Sequence, residues 1–293
     1  MKNSALILSL AVLAFCLHSE EANRLNEVLA EGETWLLVSE GHGFSDGACS
    51  DADGNVYFSD MSKGIIYKIG AASGKAEAFI ENAPKISGMK WAPDGRLICC
   101  QSGSKKIVAF DKDKKISTLA ENVGVNDLIV SKKGDIYFSG TGNQVTRIDP
   151  TGKLSVAAKD LGSPNGISLS PDQKTLAVSD YRGVNVFTLP LNDDGSLGEK
   201  QALMVLKCTA DKPNSSGGDG MTTSADGHYF VTSNLGIQVF DKSGANLGTI
   251  DKPQNKGLVN VAFGGPEMNQ LFCCNSDKIY KRKMKVTGMV FYK

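Results

Sequence analysis

Asp46-Gly47-Ala48-Cys49-Ser50-Asp51-Ala52-Asp53-Gly54-Asn55-Val56-Tyr57-Phe58-Ser59 sets a small oxygen-bearing residue, a short segment, a tight turn and an apolar β-rich run in series. The arrangement recurs five more times. Its turns fall at Asp53-Gly54, Asp94-Gly95, Lys133-Gly134, Asp172-Gln173, Asp226-Gly227 and Glu267-Met268. Runs such as Leu97-Ile98-Cys99-Cys100, Ile136-Tyr137-Phe138-Ser139 and Tyr229-Phe230-Val231-Thr232 follow them. Eight positions before each turn's second residue stand Asp46, Ser87, Asn126, Asn165, Asp219 and Asn260.

The turns are spaced 41, 39, 39, 54 and 41 residues apart, which suits four short strands per repeat. Periods of about 40–50 residues with several strands each predict an all-β, six-bladed β-propeller. The long interval contains Leu191-Asn192-Asp193-Asp194-Gly195 and Pro213-Asn214-Ser215-Ser216-Gly217-Gly218, turn-rich segments that read as loop insertions on blade four. Strands never alternate with long amphipathic helices, so a parallel α/β barrel is excluded.

The apolar segments after the six oxygen-bearing residues are expected to be the innermost strands, bringing all six side chains to one mouth of the central channel. Each residue alone also suits a turn at a strand entry, where Asn, Asp and Ser bond locally. As a set, two carboxylates and three amides point to a hard-cation site. Oxygen-only donors suit Ca²⁺ or Mg²⁺, whereas His and Cys would point to zinc.

Acidic and basic residues balance at 32 each, which removes the electrostatic case for nucleic-acid binding. The short basic run Lys281-Arg282-Lys283, with Lys285, is expected to alternate outward on the last strand. Residues 1–20 read as a secretory signal peptide: Lys2 comes first, residues 5–16 are apolar apart from Ser9, and polar His18-Ser19-Glu20 follows. Residues 21–293 then form one domain, expected to be secreted or periplasmic and free of the membrane after cleavage. Of the cysteines beyond that segment, Cys99-Cys100 and Cys273-Cys274 lie in strand-like runs whose neighbours face opposite ways, so buried core positions are expected rather than disulfides.

Phe44-Ser45-Asp46-Gly47 with the Asp53–Asp60 turn and strand resembles the opening blade of the gluconolactonase, senescence-marker-protein (regucalcin) and luciferin-regenerating-enzyme family. Val125-Asn126-Asp127-Leu128, Ser163-Pro164-Asn165-Gly166, Gly218-Asp219-Gly220-Met221 and Asn260-Val261-Ala262-Phe263-Gly264-Gly265-Pro266-Glu267 continue the resemblance over about residues 40 to 290. It implies a six-bladed propeller that hydrolyses a small-molecule lactone with one divalent cation, Ca²⁺ foremost, with Mg²⁺ or Zn²⁺ as alternatives. Matched by motif, the metal ligands are Asp46, Asn165 and Asp219, Asp219 is the general base, and Asn126 contacts substrate, or the metal through water, with Asn165 a further substrate contact. His42, four residues before Asp46, is a further substrate-binding candidate. The chain departs from the family at Asp46, where Glu is usual, and at Gly124, where many sugar-lactone enzymes carry Arg.

With only three histidines, one of them in the expected signal peptide, a Ser-His-Asp mechanism is disfavoured. Two other classes fit the sequence: a propeller that binds a ligand or protein without catalysis, and a hydrolase of other esters or phosphoesters.

Overall fold

The computed structural model describes residues 24–293; the expected signal peptide, residues 1–20, lies outside the described residues. Six four-stranded antiparallel sheets are arranged as the blades of a propeller. The innermost strands are Ser45–Ser50, Ile86–Trp91, Leu128–Val130, Pro164–Leu169, Met221–Thr223 and Leu258–Gly264, and each touches the next around a closed ring. These are the segments assigned to the channel from the repeat. Of the two insertions, one joins Asn185–Pro190 to Gln201–Val205 within blade four, and the other leads from Gln201–Val205 into blade five.

Alternation along each strand builds the core between blades. In Val56–Asp60, Tyr57 packs with Met89, Leu97 and Val108 of blade two. Its neighbours Val56 and Phe58 pack with Ala262 and Phe272 of blade six. Successive side chains on a strand point to opposite faces, so a strand covered on both sides is apolar except where a polar group is hydrogen-bonded, as at Ser59 and Asp60. The same rule divides the cysteine pairs: Cys99 faces blade one while Cys100 faces blade three. All six cysteines among the described residues are free, and five are buried.

The ring is closed by a strand whose role the repeat does not reveal. Leu36–Glu40 pairs antiparallel with Lys278–Lys283 and becomes the outer strand of blade six. The basic run is therefore on the third strand of that blade rather than at its edge. Lys281 lies over Phe272, and Arg282 lies over Trp35 and donates to the Glu33 carbonyl.

A hydroxyl at one register of the second strand joins blade to blade. Ser59 donates to the Ile86 carbonyl at 2.6 Å, Ser139 to that of Asn165, Ser179 to that of Asp219 at 3.0 Å, and Thr232 to that of Val259 at 3.2 Å. Ser139 and Ser179 thus hold the backbone of the next blade's site residue. Because Ser179 is fully buried, Ser179→Ala leaves a carbonyl without its side-chain donor. The expected loss is about 1–3 kcal/mol in chemical denaturation, and an unchanged midpoint would show that the contact contributes nothing.

Candidate functional site

Four of the six innermost strands bulge at or beside the register residue. Register shifts fall between Asp46 and Cys49, Ile86 and Gly88, Pro164 and Ile167, and Leu258 and Asn260. A bulge bends its strand and re-aims a side chain, here toward the channel mouth. Glycine after the site residue lets neighbouring strands approach. A Cβ on Gly166 would lie 2.1 Å from the Asp219 carbonyl oxygen, and one on Gly220 would lie 2.5 Å from Asn260 Cγ.

A cleft of about 770 Å³ opens at this mouth. Asp46, Asn126, Asn165 and Asp219 line it, and the more exposed Phe44, Tyr181 and Arg182 form part of its rim. The other register residues are committed to structure. Ser87 lines the cleft but donates to the Asn126 carbonyl at 2.7 Å. Asn260 donates to Asp46 Oδ1 at 3.3 Å and accepts from the Val261 N–H. By contrast, the Asn126 side chain makes no hydrogen bond among the described residues, and Asn165 Oδ1 is buried without a partner.

His42 is not among the residues lining the cleft, which corrects the expectation that it contacts substrate. It is buried between Phe58 and Tyr67, with Nε2 2.8 Å from Ser39 Oγ and Nδ1 3.7 Å from Asp60. Burial pushes its pKa down, against the opposing pull of Asp60. Asp60 in turn accepts backbone N–H groups from Gly43, Phe44, Ser62 and Lys63, fixing the loop that presents Phe44. Gly43-Phe44-Ser45-Asp46-Gly47 has the spacing of a serine-nucleophile motif. However, Ser45 is buried at the start of a strand, and its hydroxyl donates to the Ser276 carbonyl at 2.7 Å. It therefore lacks the exposed strand-to-helix turn such a nucleophile needs. At Gly124, a Cβ would stand 1.7 Å from Thr141 Oγ1, so Thr141 fills the space that a side chain there would need.

One buried carboxyl beneath the cleft, near enough to act on Asp46 and Asp219, carried no signal in the turn register. Asp127 occupies the register that holds Gly47, Gly88, Gly166 and Gly220 in other blades, and it is almost fully buried with Oδ2 unpartnered. Its Oδ1 accepts from the Leu128 N–H. A charged residue at a position where four other repeats have glycine was the available signal.

The three carboxyl groups resist ionisation. Burial pushes Asp46 up to about 7, and the charge of Asp127 adds to this against the Gly47 N–H, the Asn260 amide and Lys90. Burial raises Asp219 well above the usual range, with further contributions from Asp46 and Asp127, while the Asn165 amide opposes the shift. Asp127 is raised by burial, with Lys90 as the main opposing influence. Lys90 extends from the innermost strand of blade two to donate to the Ala48 carbonyl at 3.3 Å.

Such a set fits a hard divalent cation. Its donors are all oxygen, one buried amide oxygen lacks a partner, and opposite charge nearby would favour the ionised carboxylates. Among the described residues no group of three or more His, Cys, Asp and Glu side chains is placed to hold a metal. The candidate centre is two carboxylates and an amide.

A pH dependence follows for metal-free protein. Asp46 ionises near pH 7 in the fold but near pH 4 when unfolded. The native state therefore holds more protons across that window, and stability falls as pH rises through it. Thermal unfolding in chelator should show a midpoint that declines from about pH 4 to about pH 7. Asp46→Asn should lessen the decline, leaving the part due to Asp127 and Asp219, and an equal decline in that variant would refute the assignment.

A family model described as the SMP-30/Gluconolactonase/LRE-like region matches residues 44–276. The gluconolactonase of Zymomonas mobilis is 29% identical over 232 residues, covering 70% of this chain and 65% of that protein. This chain thus spans just under two thirds of that relative's length. A gluconolactonase structure from Xanthomonas campestris superposes with a TM-score of 0.75 at 23% identity, covering 87% of this chain and 90% of that one. Regucalcin from Agrobacterium tumefaciens, described as a calcium-binding protein, gives 0.73 at 18% identity, covering 88% and 96%. At these identities the structural likenesses establish the fold.

Proposed function

The chain belongs to the SMP-30/gluconolactonase/LRE-like family, and from that premise we propose that it hydrolyses a lactone using one divalent cation, Ca²⁺ foremost, held by Asp46, Asn165 and Asp219. The observation that carries this reading is the buried, unpartnered Asn165 Oδ1 beside two carboxylates at the open end of the channel. The gluconolactonase of Zymomonas mobilis supports the substrate class, and the calcium-binding regucalcin supports the cation.

When bound, the cation supplies Lewis-acid polarisation of the lactone carbonyl and charge to offset the oxyanion. Asp219 accepts a proton from water as the water oxygen attacks the carbonyl carbon. The ring C–O bond then breaks, and the proton passes to the departing alkoxide, leaving a hydroxy acid. Burial favours a proton on Asp219, and a bound cation would favour the ionised carboxylate that accepts it. Asn126 offers its uncommitted amide to a substrate oxygen, and the Asn165 amide steadies the Asp219 carboxylate.

Chelated protein titrated with Ca²⁺ in a calorimeter, then assayed for acid release from a panel of lactones, tests the reading. One cation per chain, with hydrolysis rising as that site fills, is expected. Acid release that does not depend on cation would overturn the metal role. No lactone opening at saturating Ca²⁺, Mg²⁺ or Zn²⁺ would overturn the activity.

A further inference from the structure

We propose that Arg182 makes this site selective for lactones that carry a carboxylate substituent, an inference that rests on the lactonase reading and names its substrate class. Arg182 is the only Lys or Arg lining the cleft among the described residues. Its guanidinium is exposed and has no hydrogen bond or ion pair among them.

The backbone beneath that side chain is nevertheless held firmly. Asp180 is almost fully buried and accepts N–H groups from Ser163 at 2.9 Å, Arg182 at 3.3 Å and Gly183 at 3.1 Å. One carboxylate thereby joins the segment leading to Asn165 with the loop carrying Arg182. A Cβ on Gly183 would stand 2.3 Å from Asp180 Oδ2, so glycine there permits the close approach. The guanidinium is thus anchored at its base and uncommitted at its tip, beside the site that holds the reacting carbonyl.

Charge at the cleft selects the ligand. A divalent cation offsets Asp46 and Asp219, and Lys90 opposes Asp127 deeper in the channel. Arg182 is left as the one positive side chain lining the cleft; Lys252 and the Asp277-paired Lys256 stand in the adjoining pocket that shares Tyr181 and Asp219. A planar guanidinium matches a carboxylate through two parallel N–H···O bonds, and one such group balances one negative charge. Phe44 and Tyr181, exposed by 36% and 44%, offer apolar faces to the remainder of a small ring.

The test compares γ-carboxy-γ-butyrolactone with the matching γ-carboxamide, which keeps the ring and removes the charge. In the wild type, kcat/KM should favour the carboxylate by about 10-fold or more, the scale of one hydrogen bond to a charged group. Arg182→Gln should collapse that ratio mainly through KM for the carboxylate, and Arg182→Lys should keep part of it. Calorimetry with pyroglutamate and pyroglutamide, lactams of the same shapes, provides a readout independent of turnover. The wild type should bind the anion more tightly, and Arg182→Gln should not. A wild-type ratio near one, or a preference unchanged in Arg182→Gln, overturns the proposal. If neither lactone is opened, the lactonase reading falls for this class, and the lactam titration alone decides whether Arg182 selects an anion.

Discussion

Asp219→Asn is expected to lower kcat for lactone opening by about 10²–10⁴-fold at saturating cation, the usual scale for losing a general base. Asparagine has nearly the same shape and can accept the Gly220 N–H that now reaches Asp219 Oδ1 at 3.1 Å. The inner strands should therefore keep their places. Saturating cation separates lost proton transfer from weakened metal binding, because affinity no longer limits the measurement. Stability gives a second control. The carboxyl is disfavoured as an anion by burial and by Asp46 and Asp127, so a neutral amide should leave the metal-free protein as stable or more so at neutral pH. A variant that keeps more than about a tenth of wild-type kcat would remove Asp219 from the base role, since that loss is below the range expected for a general base.

Asn165→Leu should weaken cation binding by about 100-fold or more, because even outer-shell partners of a metal are worth about 10–100-fold. The substitution keeps the side chain's approximate size and removes both of its functions. Its Oδ1 is the buried oxygen with no internal partner, and its amide favours the ionised form of Asp219. Leucine removes the unpartnered oxygen, and Asp219 Oδ1 still accepts the Gly220 N–H, so the fold should tolerate it. Calcium titration of the chelated variant measures the effect directly. Affinity within a few-fold of wild type would mean that Asn165 is not a ligand and that its buried oxygen serves another purpose.

Much of this molecule is legible in its repeat. Turn spacing predicted six blades, and the side-chain period of two correctly placed Cys99 and Cys100 on opposite faces. The position eight residues before each turn located Asp46, Asn126, Asn165 and Asp219 on one cleft. These features repeat, and a repeated unit writes its geometry into every copy.

What does not repeat had to wait for the closed ring. Asp127 reads as an ordinary neighbour of Asn126 until the strands beside it come together and bury its carboxyl. His42 stands four residues from Asp46 in the chain, yet the Asp60-clamped loop turns its ring into the aromatic packing of blade one. Ser87 and Asn260 share the register of the metal candidates, but contacts with adjoining blades occupy their polar atoms. Arg182 lies seventeen residues after Asn165 and reaches the same cleft because Asp180 binds both segments. Sequence alone determined the repeat, its register and the kinds of oxygen donor brought to the channel mouth, because local periodicity sets which way each side chain points. Tertiary structure decided which donors stay uncommitted and which charges line the cleft, because those depend on contacts between blades that are distant in the chain and meet only when the ring closes.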